Sequence, residues 1–557
     1  MKVCFIWVSS FREFSDFSVN LSSETSFKYC SKSRKLTKKD QESLSSDFFG
    51  NNVEEVTGII GKNGVGKSNI LELICILAKG NKLKINSDYI FVIKVNDKYC
   101  CYHYYKDGKS LKVDSDVSVS EYNGNIDNLK AIYFSNVFDG RRHSFDRSVS
   151  DISTNSMKKN YDQYGFFNKQ ISFISSRFFK KLEIDLPSSV VISLNYSGSI
   201  NLHHKSSLLD EYTAYYLSET YKLFVNRLNN LKPESKFINT LRLKFYIWLM
   251  SQISKNSIIE KAVLKQFYDL VEEELFDLKT DRFTYNLLFK VKIEIIPLLY
   301  EFEENERGSG FIDVDKISRM INFLIHIKRS FPSSMMTHFK EGARGKGQDY
   351  YSLEYSSLSS KKFINRVSDI FGNINILGME WSGISSGHRA YLNLFSLIYH
   401  EIKVSRSDHI LLCIDEGDLY LHPKWQIEFF DRLLNFLQSV TKNKIQLILT
   451  SHSPFLVSDL PNNNLVILNK SENTQKIEQV DIGSNTFGAN LYDLYSNAFF
   501  LNSSKVGLFS FKKIQELIEI LEKAELNSQN KEYARKITRQ IGDEVLKYKI
   551  TGLINND

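Results

Sequence analysis

Residues 61–68 read Gly61-Lys62-Asn63-Gly64-Val65-Gly66-Lys67-Ser68, a complete GxxxxGK[ST] loop. No other stretch constrains the fold as tightly, because such a loop works only between a buried strand and a helix whose N-terminus faces an anion. Both neighbours are present. Glu55–Ile60 is an apolar run suited to a buried strand, and Asn69–Ala78 has the composition of a packed helix. The glycines let the backbone wrap round phosphates with its N–H groups inward. Lys67 then reaches the β and γ phosphates, and the Ser68 hydroxyl reaches Mg²⁺. The motif predicts an ATP·Mg²⁺ site on an α/β fold built round a parallel sheet, with residues 61–69 against the nucleotide.

A second constellation lies far downstream. Asp408–Asp415 is an apolar run closed by Asp415-Glu416, the form of a Walker B strand, whose carboxyl end is where ligands collect in a parallel sheet. Asp415 is expected to hold Mg²⁺ with Ser68, and Glu416 to act as general base toward the attacking water. Asp418 follows, and Pro423 opens an amphipathic helix to about Val440. Ile445–Thr450 is another buried strand ending in Ser451-His452, where His452 is placed to sense the γ-phosphate. Upstream, Ser385-Ser386-Gly387-His388 opens a helix whose start forms a second anion site.

A chain of 557 residues exceeds one core, so two or three domains are expected. Its 72 basic and 65 acidic residues leave +7, too little at this length to demonstrate nucleic-acid binding. The six cysteines (4, 30, 75, 100, 101 and 413) show no metal-ligand spacing and suit a reducing cytoplasm. No apolar run reaches eighteen residues, and the N-terminus has no signal pattern, which predicts a cytoplasmic protein without a membrane span.

Together these motifs resemble the ABC-type ATPase heads of the SMC, RecF and OLD group. The resemblance implies that ATP sits between two heads, one giving the Walker A loop and the other the signature. It makes Ser385-Ser386-Gly387 the signature, Asp415-Glu416 the Walker B pair, Asp418 the D-loop and His452 the switch histidine. Arg12 in Phe11-Arg12-Glu13 is similar to the N-terminal Phe-Arg element that contacts nucleotide. Asn136 in Tyr133-Phe134-Ser135-Asn136 falls near the Q-loop, a nucleotide and Mg²⁺ contact. His388 departs from the Glu or Gln usual after the signature. Ile132–Gly140, Ile152–Asn155 and Thr486–Tyr495 leading into Phe499-Phe500-Leu501 are similar to the large ATPases of bacterial anti-phage systems, of the PtuA type found in Septu and certain retrons. That resemblance covers roughly the first 155 residues and those from about 370 onward.

The head is therefore expected in two pieces, 1–155 and 371–504, split by a mainly helical insertion over 156–370 and followed by a helical tail over 505–557. Leu209–Leu231, Ile258–Leu275 and Ile317–Phe331 carry helical spacing, and Lys340–Gln348 is a Gly-rich basic loop. Phe511–Leu526 and Lys531–Lys549 read as two charged tail helices. No metal-binding nuclease pattern follows His452, so any nuclease is expected on a separate chain. The resemblance implies a homodimer or higher oligomer through the heads, a PtuB-type HNH nuclease as partner, and a retron reverse transcriptase with its msDNA as further partners, with nucleic acid a plausible ligand. A RecF-like or SMC-like DNA maintenance factor is the alternative.

Overall fold

The computed structural model describes the chain except residues 80–84, 115, 121–125, 141, 142, 144, 146, 147, 160–162, 195–230, 256–265, 267, 268, 271–279, 306–312, 333–335, 342–347, 373, 375, 472–474, 482, 498–506, 524–527, 556 and 557. Its first part carries β1 (Lys2–Phe11), β2 (Phe14–Asn20), β3 (Thr25–Cys30), β4 (Lys35–Asp40), β5 (Val53–Gly61), β6 (Tyr89–Val95), β7 (Lys98–Tyr104), β8 (Lys112–Val113), β9 (Val117–Ser120), β10 (Leu129–Ser135) and β11 (Val149–Asp151). Then come β12 (Ser189–Leu194), β13 (Thr337–Glu341), β14 (Gln348–Glu354) and β15 (Gly378–Ser382). Last are β16 (His409–Asp415), β17 (Lys444–Thr450), β18 (Leu465–Lys470) and β19 (Ile477–Val480).

The central sheet has the order β11-β10-β16-β17-β5-β18-β19 and is parallel except for β19. The fold is thus mixed α/β about a parallel sheet. β16 is buried from Ile410 to Asp415 and β17 from Ile445 to Thr450, the continuous apolar run of a strand covered on both faces. One face is covered by the phosphate-loop helix Lys67–Lys79, whose Ile70, Leu73, Ile74 and Leu77 join Phe14 and Phe17 of β2 and Ile6 and Val8 of β1 in one cluster. A second, five-stranded sheet, β2-β1-β6-β7-β9, thereby packs over that helix, and the small sheet β3-β4-β8 packs on its far side. The opposite face of the central sheet is covered by helices Ser386–Val404 and Pro423–Val440.

The region expected to be a mainly helical insertion contains helices Pro233–Lys255, Val314–Ser330 and Leu358–Phe371, but also β12, β13 and β14. These pair antiparallel with β15 in the order β13-β14-β12-β15. In β12 the alternation of Val190, Ile192 and Leu194 inward with Ser189, Val191 and Ser193 between them is the period-two signature of a strand. The sheet leads directly, through β15, into the Ser385 turn. Lys340–Gln348 is the connection between β13 and β14, with 342–347 outside the described residues. Leu209–Leu228, most of Ile258–Leu275, and Phe499-Phe500-Leu501 also lie outside them.

Among the described residues the tail forms three helices rather than two: Leu508–Lys523, Ser528–Thr538 and Glu544–Asn555. The expected second helix is divided after Thr538, and Asp543 caps the next one, its carboxylate accepting the Leu546 amide at 2.8 Å. Leu517, Leu521, Ala534, Ile541, Ile550 and Ile554 form a separate small core there. No described helix is long and apolar enough to cross a membrane.

Candidate nucleotide site

Register decides the geometry. Ser135 of β10 stands opposite Asp415 of β16, and Asp415 opposite Thr450 of β17, so three strand ends meet at one carboxylate. Beside them β5 delivers the phosphate loop. The Ser68 hydroxyl donates to both Asp415 oxygens, at 3.0 and 2.9 Å. Thr450 donates to Oδ1 at 2.6 Å, and Ser135 to Oδ2 at 3.2 Å. Burial pushes the Asp415 carboxyl above the usual carboxylate range, while these hydroxyl bonds pull it down. A buried carboxylate next to a serine hydroxyl is a hard-oxygen donor set suited to Mg²⁺, and the neighbouring lysine is a cation suited to triphosphate oxygens. Ser68 and Asp415 are the residues that would hold the ion there.

Within the loop, Lys62, Asn63 and Gly64 are exposed, whereas Gly61, Val65 and Lys67 are buried. Gly66 has φ +83°, and a Cβ there would lie 2.6 Å from the Phe14 ring, so the position requires glycine. Lys67 Nζ donates to the Gly61 carbonyl at 3.1 Å and lies 2.8 Å from His452 Nε2. Burial lowers its pKa, and the nearby Glu416 and Asp415 oppose that. His452 Nε2 is also 3.4 Å from Glu416 Oε1. A single ring nitrogen accepts from Lys67 or donates to Glu416, not both, so His452 stands between the lysine and the carboxylate. Glu416 has φ +49° and its amide is held by Thr450 Oγ1 at 3.0 Å. The hydrogen bond from His452 holds its carboxyl below the usual range, keeping it ionised.

Several expected site residues point elsewhere. Asp418 is buried and accepts from Ser451 Oγ at 2.6 Å, which ties the D-loop to the end of β17 rather than presenting its carboxylate to the site. Asn136 is also buried, and its amide donates to the Gly417 carbonyl at 3.2 Å, bracing the loop after Glu416. Asn69 accepts from Arg12 Nη1 at 2.7 Å and donates to Glu13, and Arg12 Nη2 meets Glu72 at 2.6 Å. The Phe11-Arg12-Glu13 turn, with Arg12 at φ +52°, thus clamps the phosphate-loop helix from the five-stranded sheet.

Motif reading missed the groups behind Asp415. Tyr133 OH approaches Oδ2 at 3.4 Å, His143 Nε2 lies 3.2 Å from Tyr133 OH, and His143 Nδ1 lies 3.2 Å from Glu72. A buried polar chain therefore links Asp415 to Glu72 and on to Arg12. Glu72, buried on an otherwise apolar helix face, was the available signal.

The Ser385 hydroxyl caps its helix by accepting the His388 amide at 3.1 Å, and Ser385 and Ser386 are exposed. His388 turns inward, edge-on to Trp425 at 6.0 Å, and its Nε2 has no partner among the described residues. Burial lowers its pKa, so the imidazole is neutral at neutral pH. A Cβ on Gly387 would lie 2.8 Å from the Tyr420 carbonyl. Gly387→Ala is therefore expected to push the 417–421 loop off the helix and lower ATP turnover about 10²-fold, as ångström-scale misplacement does. ATP affinity is expected to stay within about twofold, since no Walker A contact changes. Phosphate release and calorimetry measure the two arms.

The family described as "AAA domain, putative AbiEii toxin, Type IV TA system" matches residues 269–458. "Retron Vc95 probable ATPase" of Vibrio cholerae serotype O1 biovar El Tor is 25% identical over 227 residues, 38% of this chain and 43% of that one. "Septu protein PtuA" of Bacillus thuringiensis is 30% identical over 131 residues, 22% of this chain and 30% of that one. Over these stretches the chain is similar to the two defence-associated proteins, one of them named as a probable ATPase. The matches span less than half the length of either relative. The family match, the name of the retron relative and the α/β site geometry agree on an ATPase-type domain.

Proposed function

We propose that this chain binds and hydrolyses ATP as the ATPase subunit of an anti-phage defence complex, and that ATP-dependent association of its heads controls a separate effector nuclease of the HNH type. The observation that carries this reading is the division of the site. Lys67, Ser68, Asp415, Glu416 and His452 cluster in one head, while Ser385 and Ser386 stand exposed at a helix start. An exposed helix N-terminus with two hydroxyls fits the phosphates of a nucleotide held by a second copy. ATP acts as a switch ligand because it stabilises the associated state by its difference in affinity for the two states. Glu416 takes the proton of the attacking water, and Lys67 with the loop amides balances the phosphate charge. Association with a retron reverse transcriptase and msDNA, and a cytoplasmic location, belong to the same proposal.

The test is light scattering after size exclusion on the full chain carrying Glu416→Gln, with and without Mg²⁺-ATP. Mass is expected to rise by a whole number of subunits with ATP and to stay low with ADP. A stoichiometry indifferent to nucleotide would overturn the switch. Salt-sensitive DNA binding without any co-purifying nuclease would favour the maintenance-factor reading.

A further inference from the structure

The small sheet β3-β4-β8 is the outermost layer of the N-terminal lobe. Its inner face, with Phe27, Tyr29 and Leu36, packs on Phe5, Trp7, Ile90 and Tyr99 of the five-stranded sheet. Its outer face is set by register. Ser26 stands opposite Lys39, Lys28 opposite Thr37, Cys30 opposite Lys35, and Lys35 opposite Lys112. The outward side chains are therefore four lysines, Lys28, Lys35, Lys39 and Lys112, separated only by Ser26, Thr37 and Cys30. All four lysines are exposed.

The two basic side chains flanking that face are neutralised. Arg34 is bonded to Asp107 at 2.5 Å, and inward-facing Lys38 to Asp116 at 2.5 Å and Asp40 at 3.1 Å. On the outer face, Lys28, Lys39 and Lys112 have no ion pair among the described residues. Lys35 has one carboxylate, Asp114, at 3.9 Å, and that group already accepts the Lys38 amide at 2.8 Å. Four like charges on one flat face repel each other, and a polyanion relieves that repulsion.

We infer that the outer face of β3-β4-β8 binds the phosphate backbone of double-stranded nucleic acid, with Lys28, Lys35, Lys39 and Lys112 as the contacting cations. Lys35 and Lys39 are four residues apart on one strand, about 13 Å at the usual rise. The face thus spans several phosphates. It offers no aromatic side chain for stacking, which disfavours a single strand, and no large apolar wedge, which disfavours an anionic membrane. Such contacts carry no sequence preference.

The experiment titrates the full chain into a labelled 30-base-pair DNA duplex at 50 and 200 mM KCl. Four neutralised phosphates give a slope of about −3.6 in log affinity against log salt, a loss of about 150-fold over that range. The quadruple Lys→Glu variant at positions 28, 35, 39 and 112 is expected to lose that slope and at least tenfold in affinity at 50 mM. The milder pair Lys28→Gln and Lys39→Gln, which leaves no folding doubt, halves it. Lys67→Ala retains duplex binding, so failure of the ATP reading is distinguishable from failure of this one. Equal affinity and slope for wild type and the quadruple variant, no duplex binding at 50 mM, preference for a single strand, or binding to phosphatidylserine vesicles in place of DNA would each overturn the inference.

Discussion

Glu416→Gln is expected to cut ATP turnover by 10²-fold to 10⁴-fold, the usual range for losing a positioned general base, while leaving ATP bound. The change removes the charge and keeps the shape. The residue's backbone amide remains held by Thr450 Oγ1, and its left-handed conformation places no new demand on glutamine over glutamate. Lys67, Ser68 and Asp415 are untouched, so calorimetry with Mg²⁺-ATP is expected to return wild-type or tighter affinity. Equal loss in kcat and kcat/KM marks an interaction made only in the transition state. Turnover at the wild-type rate would move the base elsewhere, the nearest titratable neighbour being His452 at 3.4 Å.

Lys67→Ala is expected to weaken ATP binding by on the order of 10²-fold or more, about 3 kcal/mol for charged hydrogen bonds lost in a buried site. The ammonium also bonds the Gly61 and Lys62 carbonyls, at 3.1 and 3.5 Å, so the empty loop loses a brace as well. Lys67→Arg is not expected to rescue, because the planar guanidinium does not fit where a compact ammonium is cradled. Thermal unfolding of both variants separates a local from a global effect. Unchanged affinity in Lys67→Ala would refute the site.

The groups legible in the sequence were those whose chemistry is written in contiguous residues. The apolar run before Gly61, the Asp415-Glu416 strand end and Pro423 at the start of its helix all state their local structure directly. Asn69 shows the limit of that reading. It lies next to Ser68 in sequence, yet its amide is taken by Arg12 and Glu13, a tie that no local pattern announces. Asp418 likewise carries the right residue type, but its orientation depends on Ser451, a residue on the following strand end. The polar chain Tyr133–His143–Glu72 announced itself only through Glu72, because it joins that helix to the 133–143 segment some 60–70 residues on. β12 was hidden because six residues of alternation are short beside the helices around it, and its partners β14 and β15 lie over 150 residues away.

The position of β5 has a consequence for biosynthesis. It lies between β17 and β18, so the strand that ends in the phosphate loop has no lateral partner until residues 444–470 have emerged from the ribosome. At ~5–20 residues per second, that wait is roughly 20–80 s. During it the nascent N-terminal portion exposes the edges of β5, and non-local pairing of this kind is slow to close. A prematurely terminated product would therefore carry the entire GxxxxGK[ST] sequence and still be unable to cradle a nucleotide.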